Sequence, residues 1–508
     1  MKNIKSRVAT VEDKLMKTAD TITFEGAKAW TISNKDRLMQ YAMTGVLGRT
    51  FYVSQKEIID EAIELIKNSD ANDLAEAIVI GRNEGYIRSF PILGLVYLSQ
   101  KDINLFKKVF ADVIKTGGDL GDFIDLCHNV RGFGRGIKKV MIDWLNNNVK
   151  PYYALKYRKQ IADAVRITRI KNNDPIYAFI LRDSVDVNKD KLNNAYEIYK
   201  ELKAFDDIPK LLRENKYEDV ANLISEFRLD VDSLTAYYNQ FDKTIWLAIA
   251  EQSPVMRFIK YLNKFERVGI DVFEIAKNKI TVDNLKKARV FPFRLFMVYN
   301  ELSYTNQKIA NLIANILDEY IKQYDWNEFN EQTWAVCPDV SGSMTGICGN
   351  NGKLRYIDIA AMFTAFLAKG LNDVMVFPWS NDVKRYKCSF SDSVVTQMNF
   401  IKSIGGGGTN MSSALDLMMR ENIKRDICVF VTDTESYATK SFYGGEGTSW
   451  IESWVKYHNK YPNSKAIVIR GDCYNNQPMS EEQCEQYNIY QIFGWNDKVV
   501  DYIQSIVK

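Results

Sequence analysis

The sequence predicts a multidomain α plus α/β chain, with a helical-repeat part first and a doubly wound α/β part second. Three observations predict it. Apolar residues recur at helical spacing from about residue 27 to about 324. After Trp326 short β-branched and aromatic runs alternate with helical segments, the pattern of a mostly parallel sheet with helices on both faces. Turns rich in hydroxyl and carboxyl oxygens fall where two of those runs end, and ligands of such sheets sit at the carboxyl ends of strands.

Residues 1–26 read as a polar extension. Ser54, Gln55, Lys56 and Glu57 form a capping box and open a helix whose apolar positions are Ile59, Ala62, Ile63 and Ile66. Asp102 starts another, with Ile103, Phe106, Phe110 and Val113 on one face. Similar segments cover 73–80, 137–145, 195–204, 284–287 and 307–324. Breaks are expected at Gly81, Gly117–Gly118, Pro151, Pro175 and Pro254. Helices of this length with short breaks predict stacked helical pairs, a solenoid, over 27–325, although no fixed sequence period is present. In the α/β domain, 326–508, strands are expected at 334–337, 374–379, 383–390, 427–431, 466–469 and 489–493. Helices begin near Arg355, Val394, Met411, Trp450 and Lys498. The directly linked pair around Asn381 and Asp382 is expected to be an antiparallel hairpin.

With 508 residues, 46% hydrophobic and 26% charged, the composition is that of an ordinary globular protein. Seven cysteines without a CxxC pair, and two histidines, supply no zinc-ligand set, so the thiols are expected to be reduced and structural. His128 and His458 read as structural residues. The N-terminus has no apolar leader, and no run of about 18 apolar residues occurs, so a cytoplasmic location and no membrane partner are expected.

Net charge is only +3, but its distribution is uneven. Residues 326–508 carry 17 basic and 20 acidic side chains, whereas 131–171 hold eleven basic residues against Asp143 and Asp163. Arg131, Arg135, Lys138 and Lys139 lie around the start of an expected helix, a favourable place for phosphate. Lys156, Arg158, Lys159, Arg166 and Arg169 follow. Arginine contacts phosphate bidentately and stacks on bases, and Tyr152, Tyr153 and Tyr157 offer faces to unpaired bases. These features make RNA the expected partner, with no DNA.

The oxygen-rich turns are more specific. Asp339, Ser341 and Ser343 follow the run 334–337 and offer three hard oxygens within five residues. Thr409 follows the glycines 405–408, and Asp433 follows the run 427–431. Hard oxygens suit Mg²⁺ or Mn²⁺, one divalent cation per chain. The order DxSxS, T, D resembles the metal-ion-dependent adhesion site of von Willebrand factor A domains. That resemblance implies direct coordination by Ser341, Ser343 and Thr409, with Asp339 and Asp433 acting directly or through water. A sixth position is left for an outside carboxylate or phosphate.

The two halves together resemble the Ro autoantigen family, whose TROVE domain precedes an A domain. The resemblance is carried by Arg131, Gly132, Phe133, Gly134, Arg135, Gly136, Ile137, Lys138 and Lys139, then Asp143 and Trp144. Lys156, Tyr157 and Arg158 follow, then Asp163, Ala164, Val165 and Arg166. Further matches are Ala288–Arg289–Val290–Phe291–Pro292–Phe293 and, weakly, the turn at Ser253–Pro254. It implies a ring of HEAT-like helical repeats closed by the A domain. It also implies binding of small structured Y-RNA-like non-coding RNA, and of single-stranded 3′ ends of misfolded RNA threaded through the ring. An exoribonuclease is an implied partner, and a monomer is expected. One departure stands out. The family's Trp-Ser-His segment is absent, and Gln160, Ile161 and Ala162 fill a shorter gap, so the histidine that contacts Y RNA in the animal proteins has no counterpart.

The sequence shows no Ser/His/Asp set, no Walker lysine motif and no paired catalytic carboxylates, so no enzyme is expected. The alternative reading is a metal-dependent protein-interaction scaffold without RNA, in which the cation grips a partner's carboxylate.

Overall fold

A computed structural model describes residues 19–184, 187–239, 241–288, 290, 292–348, 354–436, 449–496 and 498–508. Contacts divide the chain into two units. One is Pro91–Ile316. The other joins the residues before Pro91 to Leu317–Lys508. The sequence division at 325/326 follows element type, whereas the contacts place the first helices with the α/β domain.

The unit Pro91–Ile316 is helical among its described residues. Helices pack on neighbours one to three further along: Ile103–Val113 on Arg135–Asn148, Gly117–Val130 on Arg158–Thr168, Lys200–Arg213 on Tyr217–Phe227, and Tyr217–Phe227 on Lys243–Gln252. That pattern of local contacts defines a helical repeat. The starts are sequence-encoded. Asp102 caps its helix by accepting from the Asn104 and Leu105 amides at 2.8 and 2.9 Å, and Phe106, Val109, Phe110 and Val113 are buried. Gly117 begins a helix that Thr116 and Asp119 close with a capping box. Pro151 stands at the first position of Pro151–Lys156, where its missing N–H costs nothing. The continuous segment expected over 195–204 is instead two helices, Lys189–Ile198 and Lys200–Arg213, parted at Tyr199. The Tyr199 hydroxyl reaches Asp174 at 3.1 Å, a partner no local pattern reveals. Of the motif at 288–293, residues 289 and 291 lie outside the described set, and Pro292 starts the helix Pro292–Leu302.

In the second unit the end of the expected polar extension and the residues just after it form a small antiparallel ribbon, β1 (Thr21–Ile22) and β2 (Lys28–Ala29), turning at Gly26 with φ 88°. The Ser54 capping box opens Gln55–Asn68 as expected. Its buried face is Ile58, Ala62, Leu65 and Ile66, one position round from the expected stripe, with Ile59 and Ile63 at its edge. Gly81 does not break a helix but lies inside Ala71–Asn83. A Cβ there would fall 2.5 Å from the Ala42 carbonyl oxygen, so glycine serves a close helix crossing rather than a stop.

The sheet has five strands, all parallel, in the order β4-β3-β5-β6-β7. They are β3 (Trp334–Pro338), β4 (Val374–Val376), β5 (Ile427–Thr432), β6 (Lys465–Arg470) and β7 (Ile489–Phe493). The central strands are buried along their length, which explains their unbroken apolar runs. Cys337 and Cys428 sit inside them, and all seven cysteines are free thiols. The strand expected over 383–390 does not form. Trp379 and Val383 make a single antiparallel bridge. Beyond it Lys384 turns inward, donating to the carbonyls of Ile404 (2.6 Å) and Gly406 (3.1 Å), and Tyr386 donates to Gln397 at 2.7 Å. Those side-chain bonds hold the segment to the glycine loop instead of to a ladder. From β3 the chain crosses one way to β4 and then back past β3 to β5. The reversal makes the carboxyl ends of β3 and β5 the switch point, where doubly wound sheets hold ligands.

Candidate metal centre and candidate nucleic-acid surface

Asp339 follows β3 and Asp433 follows β5, so both stand at that switch point. The Asp339 amide donates to Val431 O at 3.0 Å, which levels the two strand ends. The turn after Asp339 is held by the glycine loop: Gly342 N–H donates to Gly407 O (2.9 Å) and Gly406 N–H to Val340 O (2.6 Å). Gly406 and Gly407 have φ of 116° and 100°, backbone that side chains disfavour, which is why the loop reads as four glycines. Thr409 leaves this loop directly beside the turn. Asp339, Ser341 and Asp433 are fully buried, and Ser343 and Thr409 nearly so.

The hydrogen bonds leave a characteristic remainder. Asp339 accepts from the Ser341 amide (2.8 Å) and from the Thr432 hydroxyl (2.7 Å), and the Ser341 and Ser343 hydroxyls lie 3.2 Å apart. Thr409 Oγ1 and Asp433 Oδ2 are buried without a hydrogen-bond partner. An unsatisfied buried oxygen costs about 1–3 kcal/mol. Two of them, beside the Asp339 carboxylate and two further hydroxyls, fit a small hard cation. Among the described residues no group of three or more His, Cys, Asp or Glu is arranged for a metal, so the fit rests on hydroxyls joined by two carboxylates.

The electrostatics agree. Burial pushes Asp339 up to about 6, partly offset by bonds from Ser341 and Thr432. Asp433 is raised well above the usual carboxylate range by burial first, then by the charges of Asp339, Glu435 and Asp472. A divalent cation among them would reverse that preference.

Sequence reasoning missed the surroundings. Glu435 is buried, pushed up to about 7 by burial, and held by Asn476 Nδ2 (2.9 Å) and the Phe24 amide (2.7 Å). Arg470, the last residue of β6, and Asp472 just beyond it are both fully buried and pair at 2.8 Å. Glu435 and Asp472 each lie just beyond a strand end, a signal available in the sequence. The N-terminal partners Thr23, Phe24, Glu25 and Tyr52 lie hundreds of residues away and carried none. Cys348 is buried, its neighbours Gly349 and Asn350 lie outside the described residues, and its thiol is raised by burial.

The basic candidates divide. Arg135 and Lys139 are exposed and Lys138 half-buried on the first turns of Arg135–Asn148. The cap residue there, Gly134, provides no side-chain cap bond, so the first amides of that helix are left unclaimed by a cap. Lys159 and Arg169 are exposed too, and none of these five has an ion pair among the described residues. Arg166 is exposed but pairs with Asp163 at 2.9 Å. The other three serve the fold. Arg131 donates to the Ser99 carbonyl and, at 2.8 Å, to its hydroxyl. Lys156 lies 3.5 Å from both Asp230 and Asp232. Arg158 is 7% exposed, pairs with Asp183 at 2.6 Å and stacks over the Tyr237 ring. Of the tyrosines 152, 153 and 157 only Tyr152 is exposed, since Tyr153 stacks on Trp144 and Tyr157 is half-buried. Tyr152 borders a cleft of about 1160 Å³, lined also by Arg228, Arg257 and Lys260, that the sequence did not suggest.

The class is therefore a helical-repeat chain that also carries a doubly wound α/β domain with a hydroxyl-and-carboxylate pocket at its switch point. No family model matches the chain. It is similar to the RNA-binding protein RO60 of Deinococcus radiodurans, 22% identical over 448 residues, 81% of this chain and 83% of that protein. Its fold matches the crystal structure of the Ro (Rsr) protein of the same organism with a TM-score of 0.64 at 16% identity, over 94% of this chain and 99% of the other. Both comparisons point to the Ro family that the sequence resembles.

Proposed function

We propose that this chain is an RNA-binding component of a ribonucleoprotein. It takes small structured, Y-RNA-like RNA and the single-stranded 3′ ends of misfolded RNA, and its α/β domain carries one Mg²⁺ or Mn²⁺. The observation that carries the RNA reading is the turn at Arg135. There three basic side chains, Arg135, Lys138 and Lys139, surround a helix start whose amides no cap claims. Amides and cations converging at a helix start favour phosphate. Lys159, Arg166 and Arg169, on the later helix Arg158–Thr168 and just past its end, add charge. The similarity to a protein described as RNA-binding supports the same reading.

On this reading the residues hold and do not cut. Phosphate contacts supply most of the affinity, and Tyr152 gives an unpaired base a face to stack on. Ser341, Ser343 and Thr409 would ligate the cation directly, with Asp339 and Asp433 neutralising it. The cation would supply a charged anchor for an outside anion. Fluorescence anisotropy with a hairpin RNA bearing a 3′ single-stranded tail tests the proposal. Submicromolar binding that weakens steeply with salt is expected, with tailed RNA preferred over a blunt duplex. Absence of salt-sensitive binding to either RNA would favour the interaction-scaffold alternative.

A further inference from the structure

The metal pocket is not bordered only by its own loops. The ribbon β1–β2 brings Thr23, Phe24 and Glu25 against it. Thr23 Oγ1 donates to Ser436 O at 2.6 Å, and the Phe24 amide donates to Glu435 at 2.7 Å. Both acceptors lie within three residues of Asp433. On the other side, Phe51 packs on the loop of Ser343, since a Cβ at Gly346 would meet Phe51 Cβ at 3.1 Å and Ser343 O at 3.0 Å. Tyr52 bridges the two. Its ring stacks on Phe24 with centroids 5.1 Å apart, and its hydroxyl donates to Glu25 Oε1 at 2.7 Å. The same hydroxyl stands beside Ser343, and Glu25 is near enough for its charge to act on Asp339. A carboxylate from a distant part of the chain is thus held by a tyrosine at the border of the pocket, between Phe24, whose amide binds Glu435, and Phe51, which packs on the Ser343 loop. The two unpartnered oxygens, Thr409 Oγ1 and Asp433 Oδ2, are buried in that same pocket.

We propose that Glu25 is an internal ligand of the metal centre, filling the coordination position that an outside carboxylate or phosphate would otherwise take. The proposal rests on the metal reading above. Small hard cations take six oxygen ligands, and Glu25, at the border of the pocket, supplies one of them by closing in when the ion binds. The ribbon that carries Glu25 is lightly held. Phe24 is 55% and Ile22 65% exposed, and a cleft of about 590 Å³ runs alongside it. A partner offering its own carboxylate or phosphate must therefore displace Glu25, and the ribbon acts as a gate over the site.

Mn²⁺ binding to the full chain tests this, by titration calorimetry for affinity and by water-proton relaxation for the number of waters on the ion. Glu25→Gln keeps the side chain's size and its bond from Tyr52, so the fold should hold, with melting temperature as the check. The expected result is Mn²⁺ affinity about tenfold weaker in Glu25→Gln, with one more bound water and tighter binding of acetate to the Mn²⁺-loaded variant than to wild type. Tyr52→Phe, which leaves the carboxylate but removes its hold, should fall between. Asp339→Ala should lose the ion altogether. Unchanged affinity and water count in Glu25→Gln, with the ion lost in Asp339→Ala, would overturn the role of Glu25 and leave the metal centre standing. Failure of wild type to take up Mn²⁺ would remove the metal reading and this proposal together.

Discussion

The pocket at the ends of β3 and β5 and the basic stretch at 131–171 were both legible as clusters, yet they fared differently. All five oxygen-bearing residues of the first converge in a buried pocket. Of the nine candidate basic residues in the second, Arg131, Lys156 and Arg158 turn into the helical unit. The difference is one of what fixes a side chain. Asp339, Ser341 and Ser343 sit within five residues of a strand end, so local backbone decides their direction, and the parallel sheet brings Asp433 alongside. A basic side chain is long, and its direction depends on which acids lie near. Those acids, Asp183, Asp230 and Asp232, are supplied from up to about 75 residues away.

The largest effect that sharpens this contrast concerns the pocket. Asp339→Ala together with Asp433→Ala should abolish stoichiometric Mg²⁺ or Mn²⁺ in protein dialysed against the ion and assayed by elemental analysis. Retained metal would break the pocket's side of the comparison.

The next concerns the exposed bases. Changing Arg135, Lys138, Lys139 and Lys159 together to Ala should weaken RNA binding. It should also flatten the slope of log K against log salt by roughly two to three units, at about 0.7 for each single-strand phosphate released. An unchanged slope would reduce the stretch to a solvated face.

Smaller effects are expected of the bases that turn inward. Lys156→Ala and Arg158→Ala should each cost about 1–2 kcal/mol of stability, seen as a lowered denaturant midpoint, and leave the salt slope alone. The figure is kept modest because Asp183 is itself 68% exposed and can be hydrated once Arg158 is gone, while Arg257 remains to pair with Asp230 and Asp232. A changed slope without lost stability would return both residues to the RNA surface. Smallest of all should be the effect of EDTA on RNA affinity at constant ionic strength, expected within tenfold, because the two sets of residues belong to different contact units.

The same logic governs how much of the fold could be read. Helix starts at Ser54, Asp102 and Pro151 and the central strands were legible because caps and unbroken apolar runs are local. Gly81 misled because its reason is Ala42, on another helix. The break at Tyr199 depends on Asp174. The missing strand at 383–390 depends on Lys384 finding carbonyls in the glycine loop. At the site, Glu435 and Asp472 followed the strand-end rule that identified Asp339 and Asp433, whereas Glu25 and Tyr52 follow no local rule.

The grouping of the first helices with the last domain also sets an order of events during synthesis. Trp30 bridges to Gln477, Gln40 donates to Asp472 at 3.2 Å, and Arg37 reaches the Cys473 carbonyl. None of these partners exists until more than four hundred further residues have been made. At a ribosomal rate of roughly 5–20 residues per second that is a wait of about 20–90 s. Throughout it Trp30, which joins the core of the last domain, and Met43, which faces Gly494, lack part of their eventual cover. The middle helical unit, built from neighbours in sequence, can fold as it emerges. The nascent chain therefore presents a finished middle flanked by an unfinished beginning, which is the kind of exposed segment that chaperones hold.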